Sequence, residues 1–180
     1  GLDSADTQPW AFLTPCHWTV GADQARLDNP ADLQLDKADA SALFELLAPW
    51  FAEDGFTLVY DQPGRWLVHG PALQGLACAS MDRVLLRDVA QWLPDAATAR
   101  NLHRLHSEVQ MLLYTHAFND RRAERGLPPV NAFWLHGAGA LQDGAPPVPA
   151  GLAVDDRLRA PALRSDWARS EEHTSELQSR

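Results

Sequence analysis

Three groups of residues have types and spacings that can do chemistry. His103 and His106 stand three residues apart, which places both on one face of a helix and suits a metal ion. No matching third ligand lies nearby, and a polar helix face explains the pair equally well. Cys16 and His17 join a nucleophile type to a base type. Neighbours in a strand point to opposite faces, so these two are not expected to act as a catalytic pair, and a buried thiol is the better reading of Cys16. The richest stretch is residues 116–139. It holds two carboxamides, Asn119 and Asn131, three arginines, Arg121, Arg122 and Arg125, and the run Gly137-Ala138-Gly139. Arginine suits bidentate capture of carboxylate or phosphate. Glycines let backbone N–H groups approach an anion. By spacing alone a solvated arginine face followed by a tight turn is the favoured reading. The chain has no nucleophile elbow, P-loop or His-Glu-x-x-His.

The elements that position these residues follow from periodicity and turn chemistry. Trp10-Ala11-Phe12-Leu13 reads as a strand stopped by Pro15, with residues 16–20 continuing it after a bend. Asp36 is the expected N-cap of a helix carrying Leu43, Leu46, Leu47 and Trp50, which Pro49 should kink or end before Glu53-Asp54-Gly55 closes it. Residues 56–60 and 65–69 are β-rich runs around a Pro63-Gly64 turn, a hairpin pattern. Residues 70–80 read as loop and residues 81–92 as a short helix ended by Pro94. Residues 96–116, capped by Asp95 or Thr98, form the clearest helix, with Leu102, Leu105, Val109, Leu112 and Leu113 as its apolar stripe. Residues 119–126 add a polar turn of helix, and residues 131–136 a buried strand. The expected class is α/β, or α+β, with helices flanking a mixed sheet. The hairpin requires an antiparallel pair, and a strand after a long helix fits a parallel crossover.

Composition bounds the partners. The chain has 180 residues with 46% hydrophobic and 22% charged side chains, a globular balance able to bury a core. Its net charge of −9 gives no broad attraction for nucleic acid or an anionic membrane. No apolar run approaches a membrane span and no signal peptide is visible. Two cysteines 62 positions apart make no disulfide framework, so a cytoplasmic setting is expected. Seven tryptophans are expected core anchors. A single lysine, Lys37, points to a GC-rich genome.

Residues 116–139 resemble a stretch of the archaeal-type cofactor-independent phosphoglycerate mutases that runs His-Pro-x-Asn, then Arg, Gly, Pro-Ala-Asn and Arg-Gly-x-Gly. The matching residues are His116, Asn119, Arg122, Gly126, Pro129, Asn131, Gly137 and Gly139. Ala117, Val130 and His136 depart from the pattern, and His136 replaces a fixed positive charge with a titrating one. A wider resemblance covers about residues 10–168. Thr14-Pro15-Cys16-His17-Trp18, Phe51-Ala52-Glu53-Asp54-Gly55, Asp82-Arg83-Val84, the run 108–116 and Asp155-Asp156-Arg157-Leu158-Arg159 are similar to a proteobacterial group of RpfE-type regulatory proteins. Members of that group are often labelled phosphoglycerate mutases by similarity.

The resemblance implies a partial domain like those of the alkaline phosphatase superfamily, with two divalent metals, Mn or Mg, and a serine that carries phosphate between substrate hydroxyls. In that family the serine and most metal ligands come from the chain ends, so no catalytic residue or metal ligand is carried over here. Asn119, Arg122 and Asn131 are carried over as substrate-side positions for a phosphorylated small molecule. Two functional readings follow: a fragment of a phosphoglycerate mutase-like isomerase, or a non-catalytic RpfE-type regulator that keeps the fold without the metal site. A structural domain with no ligand is the third. For organisation, residues 1–9 are expected to be loose, residues 10–168 a single domain, and residues 142–151 a linker or surface loop. Residues 154–167 read as the start of a helix. Residues 169–180 read as a sequencing-adapter translation fused to a truncated gene, so the natural protein is expected to continue past Ala168.

Overall fold

Strand β1 (Pro9–Cys16) is the strand around which the sheet is built. The structure is a computed structural model that describes residues 8–97 and 99–140. Every described residue belongs to one compact unit within Gly1–Leu141. The expected linker, the helix at 154–167 and the adapter-like tail therefore lie outside the described residues. So does most of the segment expected to be loose, although its last residue, Pro9, already opens β1.

Four strands form the main sheet in the order β4 (Thr57–Gln62), β5 (Arg65–His69), β1, β6 (Ala132–Ala140). Alternation fixes their faces. Ala11 and Leu13 of β1, Trp66 and Val68 of β5, and Phe133 and Leu135 of β6 point to one side and are buried. There they pack with Leu43, Leu47 and Phe51 of α1 (Lys37–Glu53) and with Leu102, Leu105, Val109 and Leu113 of α3 (Arg100–Thr115). Each of the larger side chains among them contributes roughly 1.5–3 kcal/mol by leaving water. A smaller core of Cys16, Trp18, Leu27, Val84, Val89, Ala132 and Trp134 lies apart from the first. It is closed by the two-stranded sheet β2 (Trp18–Val20) and β3 (Ala25–Leu27), with the short helix α2 (Met81–Val84).

The hairpin and the Asp36 cap form as the sequence predicts. The Asp36 carboxylate accepts the Asp39 amide at 2.8 Å. The long helix forms as well, but it begins at Arg100 with Ala99 as its N-cap and no capping side chain, and the Asp95 carboxylate accepts the Ala97 amide at 3.2 Å instead. Pro49 does not end α1. A proline inside a helix costs about 3 kcal/mol, and burial of Leu47 and Phe51 on either side of it offsets that cost.

Four expectations need correction. The parallel crossover does not make a mixed sheet. Strands β5 and β6 run in the same direction, but β1 lies between them, so every ladder is antiparallel and the fold is the α+β form of the expected class. Pro15 does not stop β1, because β5 reaches β1 only at residues 10–13. Beyond that β1 has one neighbour, where a proline is tolerated. Residues 81–92 do not make one helix. The chain leaves α2 to bond β3, with the Leu86 amide donating to Leu27 and the Leu27 amide to Arg87. Of the tryptophans, Trp18, Trp66 and Trp134 are buried, while Trp10, Trp50 and Trp92 are half-buried.

Candidate functional site

Residues 116–131 form a set of side-chain latches. His116 caps α4 (Ala117–Glu124), its Nδ1 accepting the Phe118 amide at 3.1 Å. Asn119, one turn in, joins two segments. Its amide nitrogen donates to the carbonyls of Leu113 and Val130, each at 2.8 Å, and its oxygen accepts the Val130 amide at 2.9 Å. The last turn ends on Gly126 at φ +69°. The Leu127 amide reaches back to Arg122 and the Gly126 amide to Ala123, the paired bonds of a Schellman end, for which a left-handed glycine is suited. Asn131 then clamps the backbone of Trp18. Its oxygen accepts the Trp18 amide at 2.7 Å and its nitrogen donates to the Trp18 carbonyl at 2.9 Å. Beside it, His17 Nδ1 donates to the Pro129 carbonyl at 2.9 Å.

Arg122 is the centre of this set. Its side chain is 1% exposed. Nε donates to the Pro128 carbonyl at 3.0 Å, Nη1 to the Asp39 carboxylate at 2.8 Å, and Nη2 to the Leu33 carbonyl. Burial pulls the guanidinium below its ordinary range, and Asp39 pulls it back up. Arg125 binds the same carboxylate at 2.9 and 3.0 Å and also meets Asp36. The solvated arginine face holds for Arg121 and for half-exposed Arg125, but not for Arg122. Asn119, Arg122 and Asn131 thus share one stretch of chain, and each directs its side chain to protein partners.

The Gly-x-Gly run is a bulge. Between the pairs Phe12↔His136 and Trp10↔Gly139, β6 carries one residue more than β1. Gly137 takes φ +65° there, and a Cβ at this position would stand 3.3 Å from the Phe12 ring. A glycine in the left-handed region is the usual first residue of such a bulge. The result aims His136 across the outer sheet face, where its Nε2 meets the Thr14 hydroxyl at 3.1 Å and its ring stacks on Phe12 at 5.5 Å. The Arg65 guanidinium lies over the same Phe12 ring at 4.9 Å and pairs with Asp61 at 2.8 Å. Burial, and then the Arg65 charge, hold the His136 imidazole below its ordinary value. A neutral ring beside a hydroxyl and an arginine can exchange a proton or orient a polar ligand.

His103 and His106 do not form a metal pair. His103 Nε2 donates to the Pro94 carbonyl at 2.7 Å. His106 is turned into the core, against the polar-face expectation. Cys16 is fully buried, as expected, and burial pushes its thiol far up.

No family model matches the chain. No curated protein matches it either. A solved structure is similar: the cofactor-independent phosphoglycerate mutase from Thermoplasma acidophilum DSM 1728, at 16% identity and a TM-score of 0.48. The match covers 74% of this chain, which spans 37% of that one.

Among the described residues, no group of three or more His, Cys, Asp or Glu side chains is placed to hold a metal ion. The two divalent metals implied by the resemblance therefore do not fit the described residues. Among those residues no helix is long and apolar enough to cross a membrane. Sequence reasoning missed Asp39, Thr14 and Arg65 as partners of the motif. Nothing in the sequence links Asp39 to Arg122, 83 positions away.

Proposed function

We propose that this chain is part of a phosphoglycerate mutase-like, metal-dependent phosphotransferase whose serine and metal ligands lie outside the described residues. One observation carries the reading. The stretch 116–139, which matches the mutase motif without gaps, folds as one continuous unit in which its matched residues have distinct backbone tasks. Asn119, Arg122 and Asn131 serve the substrate side by position, fixing residues 126–131 between α4 and β6. A phosphorylated small-molecule substrate and a cytoplasmic setting go with this reading, and a nucleic-acid or membrane partner does not. The alternative is a non-catalytic RpfE-type regulator, which the replacement of a fixed charge by His136 favours.

The test is interconversion of 3-phosphoglycerate and 2-phosphoglycerate by the full-length protein with manganese added. Turnover that is lost on chelation and restored by manganese is the expected result. A folded full-length protein without turnover, whose sequence lacks the serine and an Asp/His set, would overturn the phosphotransferase reading and leave the regulator and the ligand-free domain.

A further inference from the structure

His106 joins the two cores. Its ring is stacked between Phe133 of the main sheet, at 4.0 Å and 15°, and Trp18 of β2, at 5.2 Å and 26°. Its Nδ1 is buried and has no partner in the protein. A cavity of about 10 Å³ adjoins it, lined also by Cys78, Leu102 and Trp134. That volume holds one water at most. An imidazolium formed here would have two ring faces beside it and almost no hydration. Attraction to the rings favours the cation, but it does not replace a lost hydration shell.

The segment on the Trp18 side is the part able to yield. Residues 17–28 and 79–93 share the smaller core. Their hydrogen bonds to the main sheet and the chain just before β6 include the Asn131 clamp on Trp18, His17 to Pro129, and Trp134 Nε1 to the Ala79 carbonyl at 3.0 Å. Phe133, on the other side, is fixed in a ladder with β1.

We propose that His106 is an acid-sensitive latch, whose neutral ring holds the β2–β3 lobe on the sheet and whose protonation releases that lobe. The titratable groups around it reinforce the neutral state. His103, one turn earlier on α3, disfavours a positive charge on His106. Cys78 across the cavity is a thiol that burial pushes up to about 11, so it supplies no anion. Cys16 of β1, in the smaller core with Trp18, is likewise held as the neutral thiol. Trp18, Phe133 and Trp134 carry no charge.

Burial lowers the His106 imidazole from 6.5 to about 3. The closed state is therefore favoured above pH 6.5, and that preference is lost as pH falls toward 3. If the open state has the ordinary value, the opening equilibrium rises about 30-fold from pH 7.5 to pH 5.

Amide hydrogen exchange measured by NMR tests this, with rates corrected for intrinsic pH dependence. Protection of the Trp18 amide, which bonds Asn131 outside the lobe, is expected to fall about 30-fold between pH 7.5 and 5, and at pH 5 to lie below that of the β1–β5 ladder. His106→Leu and His106→Gln are each expected to abolish the fall. Equal protection of the Trp18 and ladder amides at pH 5 would overturn the proposal, because release would then occur only with global unfolding. Persistence of the fall in a folded variant would overturn it as well. The lobe-and-ladder comparison uses the wild-type chain alone, so the test does not depend on either variant folding.

Discussion

Replacing Arg122 by methionine probes the centre of the 116–131 set directly. The guanidinium makes three charge-assisted hydrogen bonds, to Asp39 and to the carbonyls of Leu33 and Pro128, from a side chain that is 1% exposed. Bonds to charged groups contribute about 1.5–3 kcal/mol each, and desolvation of the cation cancels several kcal/mol of the total. Methionine keeps the apolar stem but leaves the buried Leu33 carbonyl and the half-buried Pro128 carbonyl without this donor. Asp39 is not orphaned, because Arg125 still binds both of its oxygens at 2.9 and 3.0 Å. Breaking a buried ion pair costs about 3–5 kcal/mol, and retention of Arg125 puts this case at the low end, near 3 kcal/mol. Urea unfolding followed by tryptophan fluorescence reads the effect. At a slope of about 2 kcal/mol per molar, the midpoint falls by about 1.5 M. Arg122→Lys recovers less than half of this, since one ammonium cannot span three acceptors at these positions. A shift below about 0.5 M at unchanged slope would refute the reasoning and free Arg122 for a ligand-binding role.

Three further predictions follow from the same geometry. Asn131→Ala leaves the Trp18 amide and carbonyl without their clamp and costs about 2 kcal/mol. The loss is measured by urea unfolding and accompanied by faster exchange of the Trp18 amide. Gly137→Ala forces a side chain into φ +65° with its Cβ 3.3 Å from the Phe12 ring. It lowers stability by about 1–2 kcal/mol in thermal melts, and a neutral result would mean that the bulge is not needed. Under native conditions at pH 8 an aromatic disulfide reagent titrates Cys78 slowly and Cys16 only at the rate of unfolding. Cys16 is fully buried and burial raises both thiols, so rapid modification of two thiols would contradict the burial of β1.

Local signals in the sequence were read well because the physics behind them is local. Asp36 bonds an amide three residues away, Pro63-Gly64 closes a two-residue turn, and the stripe from Leu102 to Leu113 repeats at the helical period. What the sequence hid depends on distant partners. Residues 81–92 carry enough apolar spacing for a helix, yet β3, about sixty positions earlier, draws their backbone into its own bonds. The polarity of Arg122 and His106 suggested solvent, and only the tertiary fold shows one buried among carbonyls and the other between two aromatic rings. Insertion of β1 between β5 and β6 is likewise a decision of the whole sheet. No window of the chain contains it.

The bonding of residues 116–131 also bears on what the motif can say about function. Asn119, Arg122, Gly126 and Asn131 hold one turn in place between α4 and β6, and Gly137 shapes the strand that follows. Any protein keeping this fold needs these tasks done, whether or not it turns over a substrate. The spacing of the motif is therefore evidence for a mutase-like architecture first, and catalysis itself must be argued from the groups it leaves facing outward. His136 is such a group, because the bulge at Gly137 sets its direction and Thr14, Phe12 and Arg65 surround it. An enzyme reading and a scaffold reading differ at this residue. In an active full-length protein, His136→Gln should lower turnover while leaving the urea midpoint within about 0.5 M of wild type. Arg122→Met should lower turnover only in proportion to the fraction unfolded. If turnover followed stability in both variants, His136 would be scaffold too, and the chemistry would have to come wholly from outside residues 8–140.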